Sequence, residues 1–221
     1  MANLRKNFIS FVALGGQNPQ ILNLDFLKTN DIIPVNAPPF EELLKQEKPM
    51  KKFVSFPGLA NLVLGNIEFV IDEGRFQVRE TEISQWAETK IIHIAKKYFK
   101  VLPYTPLKLV GFNFNLTIVF DTATEAVNCQ QLCLPKSSQL ARVISRDNLS
   151  ASSVVRYPYG DNEGRIMLTI EQPNKKNNRR IVNFNYEFDF TDWTGFNREL
   201  AKFSEIADYS ESVLAELVRA I

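Results

Sequence analysis

From Val110 to Phe120 every second side chain is apolar: Val110, Phe112, Phe114, Leu116, Ile118 and Phe120. Successive side chains of a strand point to opposite sides, so these six share one face, and Asn113, Asn115 and Thr117 share the other. A helix would scatter the same six around its axis. The segment 107–120 therefore predicts a long antiparallel strand with one face covered by other elements and one face left wet. The stretch Val182-Asn183-Phe184-Asn185-Tyr186 repeats the device. Asparagine is depleted from strands, so Asn113, Asn115, Asn183 and Asn185 ask for a use. Two readings compete: an amide-lined surface for a ligand or partner, and a merely solvated sheet face.

The remaining elements follow from periodicity. Residues 62–72 read as strand, turn at Glu73-Gly74, and return over 75–80 with Phe76 and Val78 on one face. A helix is expected over 84–102, striped by Ala87, Ile91, Ala95, Tyr98 and Leu102 and stopped by Pro103 and Pro106. Short helical potential lies in 124–144, strands in 154–159, 165–171 and 181–190, and a closing helix over 196–220. At the start, 8–14 and 21–26 around Gly15-Gly16 suggest a hairpin. Residues 29–57 hold five prolines with one helical piece at 40–46, an irregular excursion. The expected class is α+β: an antiparallel sheet with one mid-chain helix and one long C-terminal helix on its apolar face. Residues 1–58 form a hairpin and proline-rich excursion of the same domain, and 59–221 form its main body.

Charge narrows the partners. With 26 basic and 25 acidic side chains, the chain lacks the basic excess of a general phosphate-backbone binder. No apolar run reaches the roughly 20 residues of a membrane span, and the basic-then-apolar start lacks a cleavage pattern and ends in Gly15-Gly16, so a cytoplasmic protein is expected. Cys129 and Cys133 lie one helical turn apart without a second pair, which favours free thiols over zinc. Thiol titration of the denatured, unreduced chain should count both; a count of zero would mean a disulfide.

Candidate chemistry is sparse. His93, the one histidine, falls among Lys90, Lys97 and Lys100 on the polar side of the expected helix, where it is solvated more often than catalytic. Trp86 falls on that same side and offers an aromatic anchor for a partner, unless it folds back onto the preceding loop. Glu187 and Asp189 stand about 7 Å apart on the wet face with Asn183 and Asn185, a conceivable acid/base or metal pair but equally an ordinary charged sheet face. Lys175, Lys176, Arg179 and Arg180 make a cationic hairpin tip able to meet nucleic-acid phosphates, although such tips more often only oppose aggregation. No phosphate loop, nucleophile elbow or zinc-protease motif occurs, so no cofactor or metal is expected.

The order of elements from Trp86 onward resembles a sporadically distributed family of uncharacterised bacterial proteins. The residues that carry this are Trp86, the link Pro103 to Pro106, the strand Val110 to Asn115 with its aromatic-x-Asn pattern, Phe188-Asp189-Phe190, and the helix after Trp193. The family strand normally bears an arginine before its aromatic, where this chain has Gly111. The resemblance implies a bacterial or phage-related setting and an arrangement of elements, and no activity. The expectation for function is a non-enzymatic binding or assembly protein, contacting a protein partner or a second copy through Asn113, Asn115, Asn183, Asn185 or Trp86. A nucleic-acid-associated protein using the 174–180 tip and an enzyme built on Glu187 and Asp189 are the alternatives.

Overall fold

A computed structural model describes residues 2–33, 52–132, 152–159, 164–172 and 178–219. Its centre is one sheet of nine strands: β1 (Asn3–Gly15), β2 (Lys52–Phe56), β3 (Leu59–Leu64), β4 (Ile67–Asp72), β5 (Arg75–Thr81), β6 (Leu107–Val119), β7 (Ser152–Tyr159), β8 (Gly164–Glu171) and β9 (Arg179–Asp189). Their spatial order is β2-β3-β4-β5-β1-β6-β9-β8-β7, and every neighbouring pair is antiparallel. The helices among the described residues are α1 (Leu24–Thr29), α2 (Ile91–Val101), α3 (Ala123–Leu132), α4 (Trp193–Ala201) and α5 (Phe203–Arg219). The α+β class and antiparallel sheet of the sequence reading are present, with a larger sheet and more helices than the two it named.

The topology divides into two similar runs. In each, a 13-residue strand (β1 or β6) is followed by a helix and an antiparallel meander, whose last strand (β5 or β9) pairs beside the opening strand. A closing helix follows. The two opening strands pair with one another at the middle of the sheet. Residues 3–15 are therefore the central strand, not half of a hairpin with 21–26. Asn23 explains the error: its side chain accepts from the Phe26 amide at 2.7 Å and starts α1 where alternation alone suggested a strand. The expected helical piece at 40–46 lies outside the described residues.

The described helices pack on one side of the sheet. Phe11 meets Phe99 of α2 and Phe196 of α4, Phe112 meets Phe203 of α5, and Tyr186 shares a 2.7 Å hydrogen bond with Ser210 of α5. On this side β6 buries the whole apolar row from Val110 to Ile118, and β9 buries Val182, Phe184, Tyr186 and Phe188. Helix α2 starts at Ile91, with Ile91, Ile94, Ala95, Tyr98 and Phe99 buried on one face. Its N-terminus is fixed by a buried carboxylate: Glu80 accepts from the Lys90 amide at 2.9 Å and the Thr89 hydroxyl at 2.7 Å. The expected closing helix is broken at Lys202 into α4 and α5. Among the described residues no helix is long and apolar enough to cross a membrane.

Candidate functional site

The second side of the sheet carries no helix among the described residues. Strand register fixes what stands there. Asn113 lies directly across from Asn185, and Asn115 across from Asn183, so the two Phe-Asn stretches that look alike in sequence are neighbours in space. On the other flank of β6, Ser10 faces Asn113 and Phe8 faces Asn115. A bulge in β1 at Asn7, between the pairs formed by Lys6 and Phe8, adds a further amide.

These side chains bond laterally. Asn7 Nδ2 donates to Asn115 Oδ1 at 2.7 Å and to Thr117 Oγ1 at 3.0 Å. Asn115 Nδ2 donates to Asn183 Oδ1 at 3.5 Å, Asn113 Nδ2 to Ser10 Oγ at 3.3 Å, and Asn185 Nδ2 to Glu187 Oε1 at 3.2 Å. All four predicted asparagines are half-buried by their neighbours. A carboxamide offers two donor hydrogens and an acceptor oxygen, and the lateral bonds use only part of that capacity. Asn113 Oδ1, Asn185 Oδ1 and Asn183 Nδ2 keep no protein partner among the described residues.

Charge is distributed unevenly over this face. From Phe8 to Val12 on β1, from Gly111 to Thr117 on β6, and at Ile181, Asn183 and Asn185 on β9, the outward side chains are all uncharged. Charges begin outside this centre: Arg79 pairs with Glu68 on one flank, and Arg165 with Glu187 at 3.6 Å and Asp189 at 3.2 Å on the other. Arg75 donates to the Gln77 side chain, and Arg5 and Arg179 stand across from Thr117 and Val119 at the strand ends. Glu187 and Asp189 are thus joined through one arginine, the arrangement of a sheet-face ion pair. Among the described residues no cluster of three or more histidine, cysteine or acidic side chains is placed to hold a metal ion. A depression of about 520 Å³ between Arg156, Arg165, Met167, Asn185 and Glu187 notches the flank formed by β7, β8 and β9.

The other sequence candidates scatter. Trp86 is 1 % exposed, so it cannot anchor a partner from the surface. It lies in a short 3₁₀ turn before α2, off the helical frame that placed it on the polar side. Its ring packs at 4.8 Å on Phe114 beneath the sheet, with the Lys6 ammonium 4.9 Å above it. The bulge at Asn7 is what turns Lys6 to this side, where it also pairs with Glu211 of α5. Arg180 is 1 % exposed, on the helix side of β9, and burial lowers its pKa. It is therefore no part of a cationic tip. Arg179 is half-buried at the end of the uncovered face, while Lys175 and Lys176 lie outside the described residues. His93 is exposed on α2. Cys129 is buried and forms no disulfide among the described residues, and Cys133 lies outside the described residues.

Asn7 and Ser10 escaped the sequence reading. Ser10 was recoverable, since it alternates with buried Ile9 and Phe11. Asn7 was not, because a bulge shifts the alternation by one residue without a local signal. No family model matches this chain, and no curated protein matches it.

Proposed function

We propose that this chain is a non-enzymatic binding or assembly protein that works through the uncovered face of its sheet, with Asn113, Asn115, Asn183 and Asn185 at the centre of the contact. One observation carries this reading: the face that no described helix covers has an uncharged, amide-rich centre with charges only around it. Depletion of charge at the core with a polar rim is the compositional mark of a protein interface. An ordinary solvated sheet face would spread lysine and glutamate over its middle. The centre of this face offers no cation, which argues for a protein surface as partner over a phosphate backbone.

Site-specific photo-crosslinking in cells that make the protein natively tests this. A photoreactive residue at position 115 should yield adducts, and one at Asp208, exposed on α5, should not. Absence of adducts from position 115 overturns the proposal, whatever position 208 does.

A further inference from the structure

The geometry points to a second copy of this chain as the occupant of the amide face, in a two-fold dimer packed sheet to sheet; this rests on the reading of that face as the contact surface. Size is the first argument. Nine strands spaced ~4.8 Å apart, presenting roughly seven residues each at ~3.4 Å, give a face of about 900 Å². A standard stable interface uses about 800 Å² per partner.

Shape is the second. Sheets twist with one hand, so two copies of the same face are matched in twist and pack aligned at about −30°. A two-fold contact is isologous, and the surface must complement itself. The charge pattern does so, because each flank carries both signs, Arg79 with Glu68 and Arg165 with Glu187 and Asp189. No flank is then forced against its own charge.

Hydrogen bonding is the third. Asn185 presents a free acceptor and Asn183, two residues away on the same strand, a free donor. A two-fold axis lying in the interface and running across the strands sets Asn185 Oδ1 of one copy against Asn183 Nδ2 of the other, and the reciprocal pair against the first. The same operation brings Asn113 Oδ1 over the second copy's Asn115. The lateral bonds hold each amide in orientation before contact, so little side-chain entropy remains to be lost.

Sedimentation equilibrium on the purified chain, with two complementary double variants, tests the proposal. The parent should sediment at twice the 25.3 kDa chain mass. Asn113→Lys with Asn183→Lys should raise the dissociation constant at least about a hundredfold, because like charges are enclosed at the contact. Asn113→Asp with Asn183→Asp should do the same, and an equimolar mixture of the two variants should restore the dimer. Circular dichroism should be unchanged in both. A monomeric parent, a lysine variant that keeps the parent's mass, or two folded variants that fail to combine overturns the second copy as occupant. Salt-dependent binding of a DNA duplex by a monomeric parent, lost in the aspartate variant, would give the face to nucleic acid instead. Adducts at position 115 to another protein, with a monomeric parent, would refute the dimer and leave the binding face standing.

Discussion

Phe11→Ala should lower the free energy of unfolding by about 3–5 kcal/mol, the cost of emptying a large aromatic site in a packed core. Phe11 sits on the central strand, is fully buried, and touches four other rings: Phe76 at 6.2 Å, Phe99 at 6.4 Å, Phe112 at 5.8 Å and Phe196 at 6.4 Å. These rings come from β5, α2, β6 and α4, so one side chain ties both runs of the topology to their helices. Elements from four parts of the chain must shift together to close the space, and such sites collapse poorly. Domains of this kind are stable by only about 5–15 kcal/mol, so the variant should lie at the edge of folding near body temperature. Urea titration of parent and variant measures this. A difference below about 1.5 kcal/mol, the range of volume-conserving exchanges, would mean that Phe11 is not the junction described.

What the sequence disclosed and what it hid divide along one physical line. Period-two alternation is local, and it placed β6 and β9 with the buried side of each, and β8 as a strand, because burial on one face dictates side-chain type residue by residue. Strand neighbours are not local. That β1 runs between β5 and β6 depends on contacts more than 60 residues apart in sequence, and no residue of β1 announces it. Gly15-Gly16 was read as a turn. The actual demand at Gly15 is a close approach: with φ of 151°, a Cβ there would stand 2.1 Å from the Pro106 carbonyl oxygen. Trp86 was misplaced because a helix was extended backward through a 3₁₀ turn, which carries no apolar period of its own.

The candidate site was half legible for the same reason. The four asparagines were visible as odd residues on wet strand faces, but their meeting as two cross-strand pairs is a matter of register. Register also gives each of them a lateral partner: Asn7 and Asn183 with Asn115, Ser10 with Asn113, and Glu187 with Asn185. Amides paired in this way are oriented by their own bonds, a property that alternation alone does not carry.

Raising the pH well above 10 should unfold the protein in a step that also ionises Tyr98, Tyr159 and Tyr186. Burial holds all three phenols above the usual tyrosine range of about 10. For Tyr159 the hydrogen bond it donates to Glu205 at 2.8 Å adds to the shift, whereas the bond to Ser210 partly offsets it for Tyr186. The folded-state pKa of each phenol therefore lies above its unfolded value, and the folded chain holds these protons more tightly. The stability linked to them is fully present below about pH 10 and is lost as pH rises toward the folded values. Phenolate absorbance and far-ultraviolet circular dichroism, followed together, should show these tyrosines ionising in the same transition that loses the sheet. Tyr98→Phe supplies the control. Its hydroxyl is buried without a hydrogen-bond partner among the described residues, so removing it should leave stability at neutral pH unchanged or raised, because an unsatisfied buried hydroxyl costs about 1–3 kcal/mol. The coincident phenolate amplitude should fall by one tyrosine. Were that amplitude to stay as in the parent, or the ionisation to run to completion while the dichroism held, Tyr98 would not be enclosed between α2 and β5 as its 4.4 Å contact with Phe76 places it.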